Sequence, residues 1–129
     1  MTVQQLFELT IGNMGLTTDN AATYAATLVP QVRTVLARLY ELENTIRESK
    51  GIAVMTAYPV PTLTTDALTY QEEVLVRCAT FGLAQLFALS DDDTIRAGFF
   101  GSVFAEEYKN LNRVIASAVE DVYTTLEDE

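Results

Sequence analysis

The sequence predicts an all-α protein: a helical bundle of about four helices, with a long extended arm between helices two and three and a C-terminal tail. Three observations carry this reading. Apolar residues recur at spacings of three and four through four separate stretches, the period of a helix buried on one side. Residues 49–70 break that period with Pro59, Pro61 and a series of β-branched side chains, which favour extended chain,. Five of the 18 acidic residues and none of the eight Lys and Arg fall within 120–129, which sets the tail apart. The expected organisation is one bundle domain over 1–118, with the arm at 49–70, and an acidic tail over 119–129.

The elements follow in order. Thr2 and Gln5 have capping-box spacing ahead of a first helix from about Thr2 to Met14,. Val3, Leu6, Phe7 and Thr10 share one face of it, and Gly12 and Gly15 end it. A second helix is expected from an N-cap at Asp19 to about Glu48, with Leu28, Val32, Val35, Leu36, Leu39, Leu42 and Ile46 on the buried side. Pro30 lies inside that pattern and predicts a kink or a break into two helices,.

The arm, Ser49 to Tyr70, is longer than a compact domain ordinarily tolerates without a functional reason,. Thr69 then opens a capping box with Glu72, and a third helix runs to about Leu89. From Val74 onward it is apolar on nearly every side, so it is expected at the centre, with Gly82 permitting close approach of a neighbour. Ser90 to Asp93 break the chain and place negative charge at the start of the fourth helix, where the macrodipole favours it,. That helix carries Ile95, Phe99, Phe100, Val103, Phe104, Tyr108, Leu111, Val114 and Ile115 and is expected to fade near Ser117. In the tail, Val119, Val122, Tyr123 and Leu126 have the spacing of a short amphipathic helix.

Composition and motifs argue against chemistry. There is no histidine, the commonest general base and metal ligand, and no Gly-rich phosphate loop or paired cysteines,. Neither catalytic residues, cofactor nor metal are expected. The lone Cys78 sits in the most apolar helix and reads as a small core residue; it forms no internal disulfide, which fits a reducing compartment,. Asp91, Asp92 and Asp93 lack the alternating spacing of a calcium loop,. Glu72–Glu73 and Glu106–Glu107 are consecutive pairs that diverge on a helix and read as solvated faces,. Phe99, Phe100 and Phe104 read as core.

A formal net charge of -10 excludes a surface that neutralises many phosphates,. No uninterrupted apolar run approaches the roughly 18 residues of a bilayer span, and the first residues lack the features of a secretory signal, so no membrane role is expected. Arg33, Arg38, Arg47 and Lys50, interleaved with Glu41, Glu43 and Glu48, predict intrahelical pairs or, equally, a face complementary to a neighbouring subunit,. Tyr58, Tyr70 and Tyr123 lie outside the expected helical cores, and tyrosine is favoured at protein interfaces. The candidate partner-binding residues are therefore Tyr58, Pro59, Val60, Pro61 and Tyr70 in the arm, and Val119, Val122, Tyr123 and Leu126 in the tail.

Two stretches add a resemblance. LARLYELENTIRESKGI is a long helix with an Arg/Lys-Gly exit. YPVPTLTTDALTYQEEVLVRCATFGLAQLFALSDDDTIRAGFFGSVFAEEYKNLNRV runs from a proline-flanked arm through an apolar helix and an acidic turn to an aromatic helix, with Phe104 and Tyr108 four apart. In that order they resemble the head–tail connector proteins (adaptor or head-completion proteins) of tailed bacteriophages. The resemblance covers about residues 36 to 115. It implies a virion protein of the head–tail neck, made in the host cytoplasm and assembled as a homo-oligomeric ring. Its implied partners are the portal protein above and a stopper or tail-completion protein below, with packaged DNA only as non-specific channel contents. The competing reading of the charge is an acidic helical regulatory protein, such as a DNA mimic that occupies another protein.

Overall fold

The computed structural model describes residues 1–17 and 21–127, with side chains to residue 113. Four helices make an all-α bundle, and no strand occurs among the described residues. Helix α1 spans Val3–Asn13 and begins with the expected box. The Gln5 N–H donates to Thr2 Oγ1 at 3.2 Å, and the Thr2 N–H donates to Gln5 Oε1 at 2.9 Å. Gly15, at φ 71°, turns the chain out of it.

The second helix, α2, is Leu28–Ser49, nine residues later than the start expected at Asp19, which itself lies outside the described residues. A short 3-10 turn, Ala22–Tyr24, precedes it as a separate element. Pro30 therefore falls in the first turn of α2, where no intrahelical partner exists for its missing N–H, and it needs no kink,.

The third helix, α3, is continuous over Glu72–Ser90 but not uniform: α-helix at Glu72–Val74, a π-helical segment at Leu75–Ala79 and α-helix at Thr80–Ser90. It is the central helix, with Val74, Cys78, Ala79, Leu83, Ala84 and Phe87 fully buried. At 19 residues it is long and apolar enough to cross a membrane, which a count of uninterrupted apolar residues misses. Its burial is that of a core helix. A Cβ on Gly82 would lie 3.0 Å from the Phe104 ring and 3.2 Å from Val35, the close approach that its lack of a side chain was expected to permit.

Thr69 is no cap. The N-cap of α3 is Gln71, without a side-chain cap of its own. Glu43 from α2 takes that role, its Oε1 accepting from the Gln71 N–H at 2.7 Å.

After the turn at Asp91–Asp93, helix α4 spans Thr94–Glu127, some ten residues past the expected fade near Ser117. The separate tail is thus, in its backbone, a continuation of α4. The side chains of Val119, Val122, Tyr123 and Leu126 lie outside the described residues. Leu111 is the last buried residue described.

The core joins all four helices. Phe87 of α3 meets Phe7 of α1 edge-on at 5.9 Å and stacks on Tyr24 at 4.4 Å. Phe100 and Phe104 of α4 are buried in the same core.

Candidate partner-facing surfaces

The arm is irregular, as expected, but it is not loose. Two side chains of α2 grip the backbone of Met55. Tyr40 Oη donates to its carbonyl at 2.7 Å, and Asn44 both accepts from its N–H at 2.8 Å and donates to its carbonyl at 3.2 Å. Farther along, Arg33 Nε donates to the Pro61 carbonyl at 2.7 Å. The returning strand-like stretch meets the start of α1, where the N–H groups of Val3 and Gln4 donate to the carbonyls of Asp66 and Thr64, and Leu68 N–H donates to the Met1 carbonyl. Thr2 and Ala67 form an isolated antiparallel bridge. Asp66 caps the bend by accepting from the N–H groups of Thr62 and Leu63, which holds its carboxyl below the usual range.

Both ends of the arm are tied to one buried clasp. Glu43 has no exposed surface and pairs with Arg47 at 2.6 Å, one turn on in α2. Arg47 in turn donates to the Ala53 carbonyl at 3.2 Å, where the arm leaves, and to the Thr69 carbonyl at 2.6 Å, where it returns. The sequence signalled an intrahelical pair, but nothing in it indicated that the pair would be buried and would anchor the arm.

This anchoring sorts the expected arm residues. Tyr58 and Val60 are exposed, at 58% and 64%. Tyr58 rests its ring 4.4 Å from Tyr40. Pro59 is half-buried and Pro61 is buried. Tyr70 is corrected: it is a core residue, 5% exposed, whose hydroxyl donates to the Leu36 carbonyl at 2.6 Å. Burial, and then Glu43, raise its pKa. On the folded arm Tyr58 and Val60 are exposed, and with them Ile52, Val54 and Leu63, which the sequence reading did not single out as partner-facing.

A second apolar surface was missed altogether. Leu89, Ile95 and Phe99 lie at the tip of the α3–α4 hairpin with Ile95 85% and Phe99 63% exposed, so Phe99 is not the core residue expected. Periodicity placed them on an apolar helix, but α4 carries apolar residues on two faces and only one faces the bundle.

Cys78 is buried, and burial followed by Glu107 pushes its thiol up to about 12. Asp91 accepts from the Tyr24 hydroxyl, and Asp93 caps α4 by accepting from the Arg96 N–H at 3.0 Å. Among the described residues no group of three or more Asp, Glu, Cys or His is placed to hold a metal. Glu73 pairs with Lys50 and Glu107 with Arg77.

A groove of about 590 Å³ runs beside Arg38, Gln85, Gly101, Ser102, Phe104 and Tyr108. Arg38 lies 4.4 Å over the Phe104 ring there, so the guanidinium closes the aromatic face rather than offering it,. A smaller, more apolar groove of about 350 Å³ lies between α1 and the 3-10 turn, against Phe7, Ile11, Leu16 and Ala25. Neither brings a nucleophile together with a base.

Compared with known protein families, with curated proteins and with solved structures, the chain matches none.

Proposed function

We propose that this chain is a structural adaptor of a tailed-phage virion, forming a ring below the portal that extends the DNA channel and receives the next head-completion or tail component. The observation that carries the reading is the arm. It is an uncharged stretch, 51–65, clamped to the helical body at both ends while presenting Ile52, Val54, Tyr58, Val60 and Leu63 to solvent. A fold does not ordinarily leave five large apolar side chains together on the outside unless something covers them. In the ring reading the net charge of -10 lines a passage that DNA slides through without sticking,.

The acidic-mimic alternative needs an ordered face of free carboxylates. Glu43, Asp66, Glu73, Asp91 and Glu107 are instead engaged by internal partners, which weighs against it.

The test is to mix the purified chain with its cognate portal protein and image the product. An added ring of density on one face of the portal supports the reading. Portals that stay bare at saturating chain, with the chain shown to be folded, refute it.

A further inference from the structure

The outer run of the arm alternates. Tyr58 and Val60 are exposed, Pro59 between them is half-buried, and Pro61 is buried. No turn or bend interrupts residues 58–62. A burial period of two is that of an extended strand lying on the body, with 58 and 60 on its outer face. The sequence enforces this, because Tyr58 and Val60 each precede a proline, which drives both out of the helical region,.

In an extended chain the N–H and C=O of one residue point to one edge, and those of the next residue to the other. The edge carrying 59 and 61 has no N–H to satisfy, since both are prolines, and the Pro61 carbonyl accepts from Arg33 of α2 at 2.7 Å. That edge faces the helix. The opposite edge carries the N–H and C=O groups of Tyr58 and Val60, and none of them is hydrogen-bonded among the described residues. Asn44 fixes Met55 before this stretch, and Asp66 fixes Thr62 and Leu63 after it, so the open edge is strung between two anchors.

We propose that this edge docks by strand addition, pairing the Tyr58 and Val60 backbone with the exposed edge strand of a β-sheet in a different protein. This rests on the reading of the arm as the surface another component covers, and it names the chemistry of that component. The partner offers a free strand edge, with apolar side chains beside it to meet Tyr58 and Val60. An unpaired edge is ordinarily blunted by charge or by proline; here both prolines lie on the inner edge, and 51–65 has no Asp, Glu, Lys or Arg,. A proline-reading aromatic groove is disfavoured, because Pro61 is buried and Pro59 is half-buried against the body,. The sheet comes from another protein because this chain has no strand of its own among the described residues, only the isolated bridge of Thr2 and Ala67.

The experiment mixes the full-length chain with the cognate portal protein and, separately, with the tail-completion protein. Residues 58–61 hold only the amides of Tyr58 and Val60, because the two prolines have none. In the free chain both amides should exchange with deuterium at unprotected rates, and in the complex both should slow at least tenfold. Two variants then separate backbone from side chain. Val60→Pro keeps an apolar, extended residue and deletes one donor, whereas Val60→Thr keeps the donor and the branched shape. Val60→Pro should bind at least tenfold more weakly than Val60→Thr, with circular dichroism checking that both keep their helices; the exchange measurement itself needs no variant. A complex in which both amides stay unprotected, or to which the two variants contribute equally well, overturns the strand pairing and leaves the adaptor reading standing. Protection of both amides in the chain alone would make a second copy the occupant and overturn the choice of partner. A wild-type chain that binds neither protein contradicts both proposals.

Discussion

Glu43→Ala removes a fully buried carboxylate that accepts from Arg47 Nε at 2.6 Å and from the Gln71 N–H at 2.7 Å. Two groups lose their partner. The Arg47 guanidinium, 14% exposed, keeps its two arm carbonyls but has no counter-charge, and the first N–H of α3 is orphaned. Breaking a buried pair from one side costs about 3–5 kcal/mol, and the carbonyls left to Arg47 place this case near the lower end, about 3 kcal/mol. For a chain of this length that is a fall in Tm of about 10 °C. Glu43→Gln keeps an acceptor for Gln71 and loses only the charge, so it should cost about half as much. Urea unfolding followed by circular dichroism measures both, and hydrogen exchange over 53–69 reports the arm. The arm amides should lose protection in Glu43→Ala before the core of α3 does. A cost below about 1 kcal/mol, or arm protection unchanged from wild type, would refute the claim that this clasp holds the arm.

Other outcomes follow from the same contacts. Cys78 should react with a thiol reagent at neutral pH only as fast as the protein opens, because burial holds the thiol neutral; rapid labelling of the native protein would make it a surface group,. Burial, then Asp91, pushes Tyr24 up to about 12, and burial raises Tyr70 and Tyr108 as well. The fold thus keeps these hydroxyls protonated beyond the unfolded value. Their contribution to stability is complete below about pH 10 and is lost as pH rises through the folded values. Tyrosinate absorbance and helical signal should therefore change together above pH 10, and titration of all the tyrosines near pH 10 with the helices intact would contradict the packing. Truncation after Ser117 should leave Tm nearly unchanged while abolishing attachment to the portal, because so short an apolar stripe is marginal without a partner's groove. A large loss of stability with attachment intact would make Val119, Val122, Tyr123 and Leu126 part of the chain's own core.

The helices were legible because burial on one side imposes its period on the sequence. The capping box of Thr2 and Gln5 and the tight fit at Gly82 are local enough to be read from neighbouring letters. What escaped was tertiary. Thr69 and Glu72 have the spacing of a box, yet a carboxylate 28 residues away supplies the cap. Tyr70 looks like a surface tyrosine because it follows the arm, and only the position of α2 reveals that its hydroxyl reaches Leu36 inside the core. Pro30 signalled a break without saying which side of it was helix. Phe99 and Ile95 share the apolar pattern of α4 with Phe100 and Phe104, and periodicity alone does not say which of two apolar faces the bundle uses.

The mass of the wild-type chain in solution, by light scattering at high protein concentration with imaging of the same sample, tests the ring-forming adaptor most directly. The account predicts a discrete closed oligomer, seen as rings, that dissociates on dilution. A species of monomer mass at every concentration, still fully helical and forming no ring on added portal protein, would contradict it.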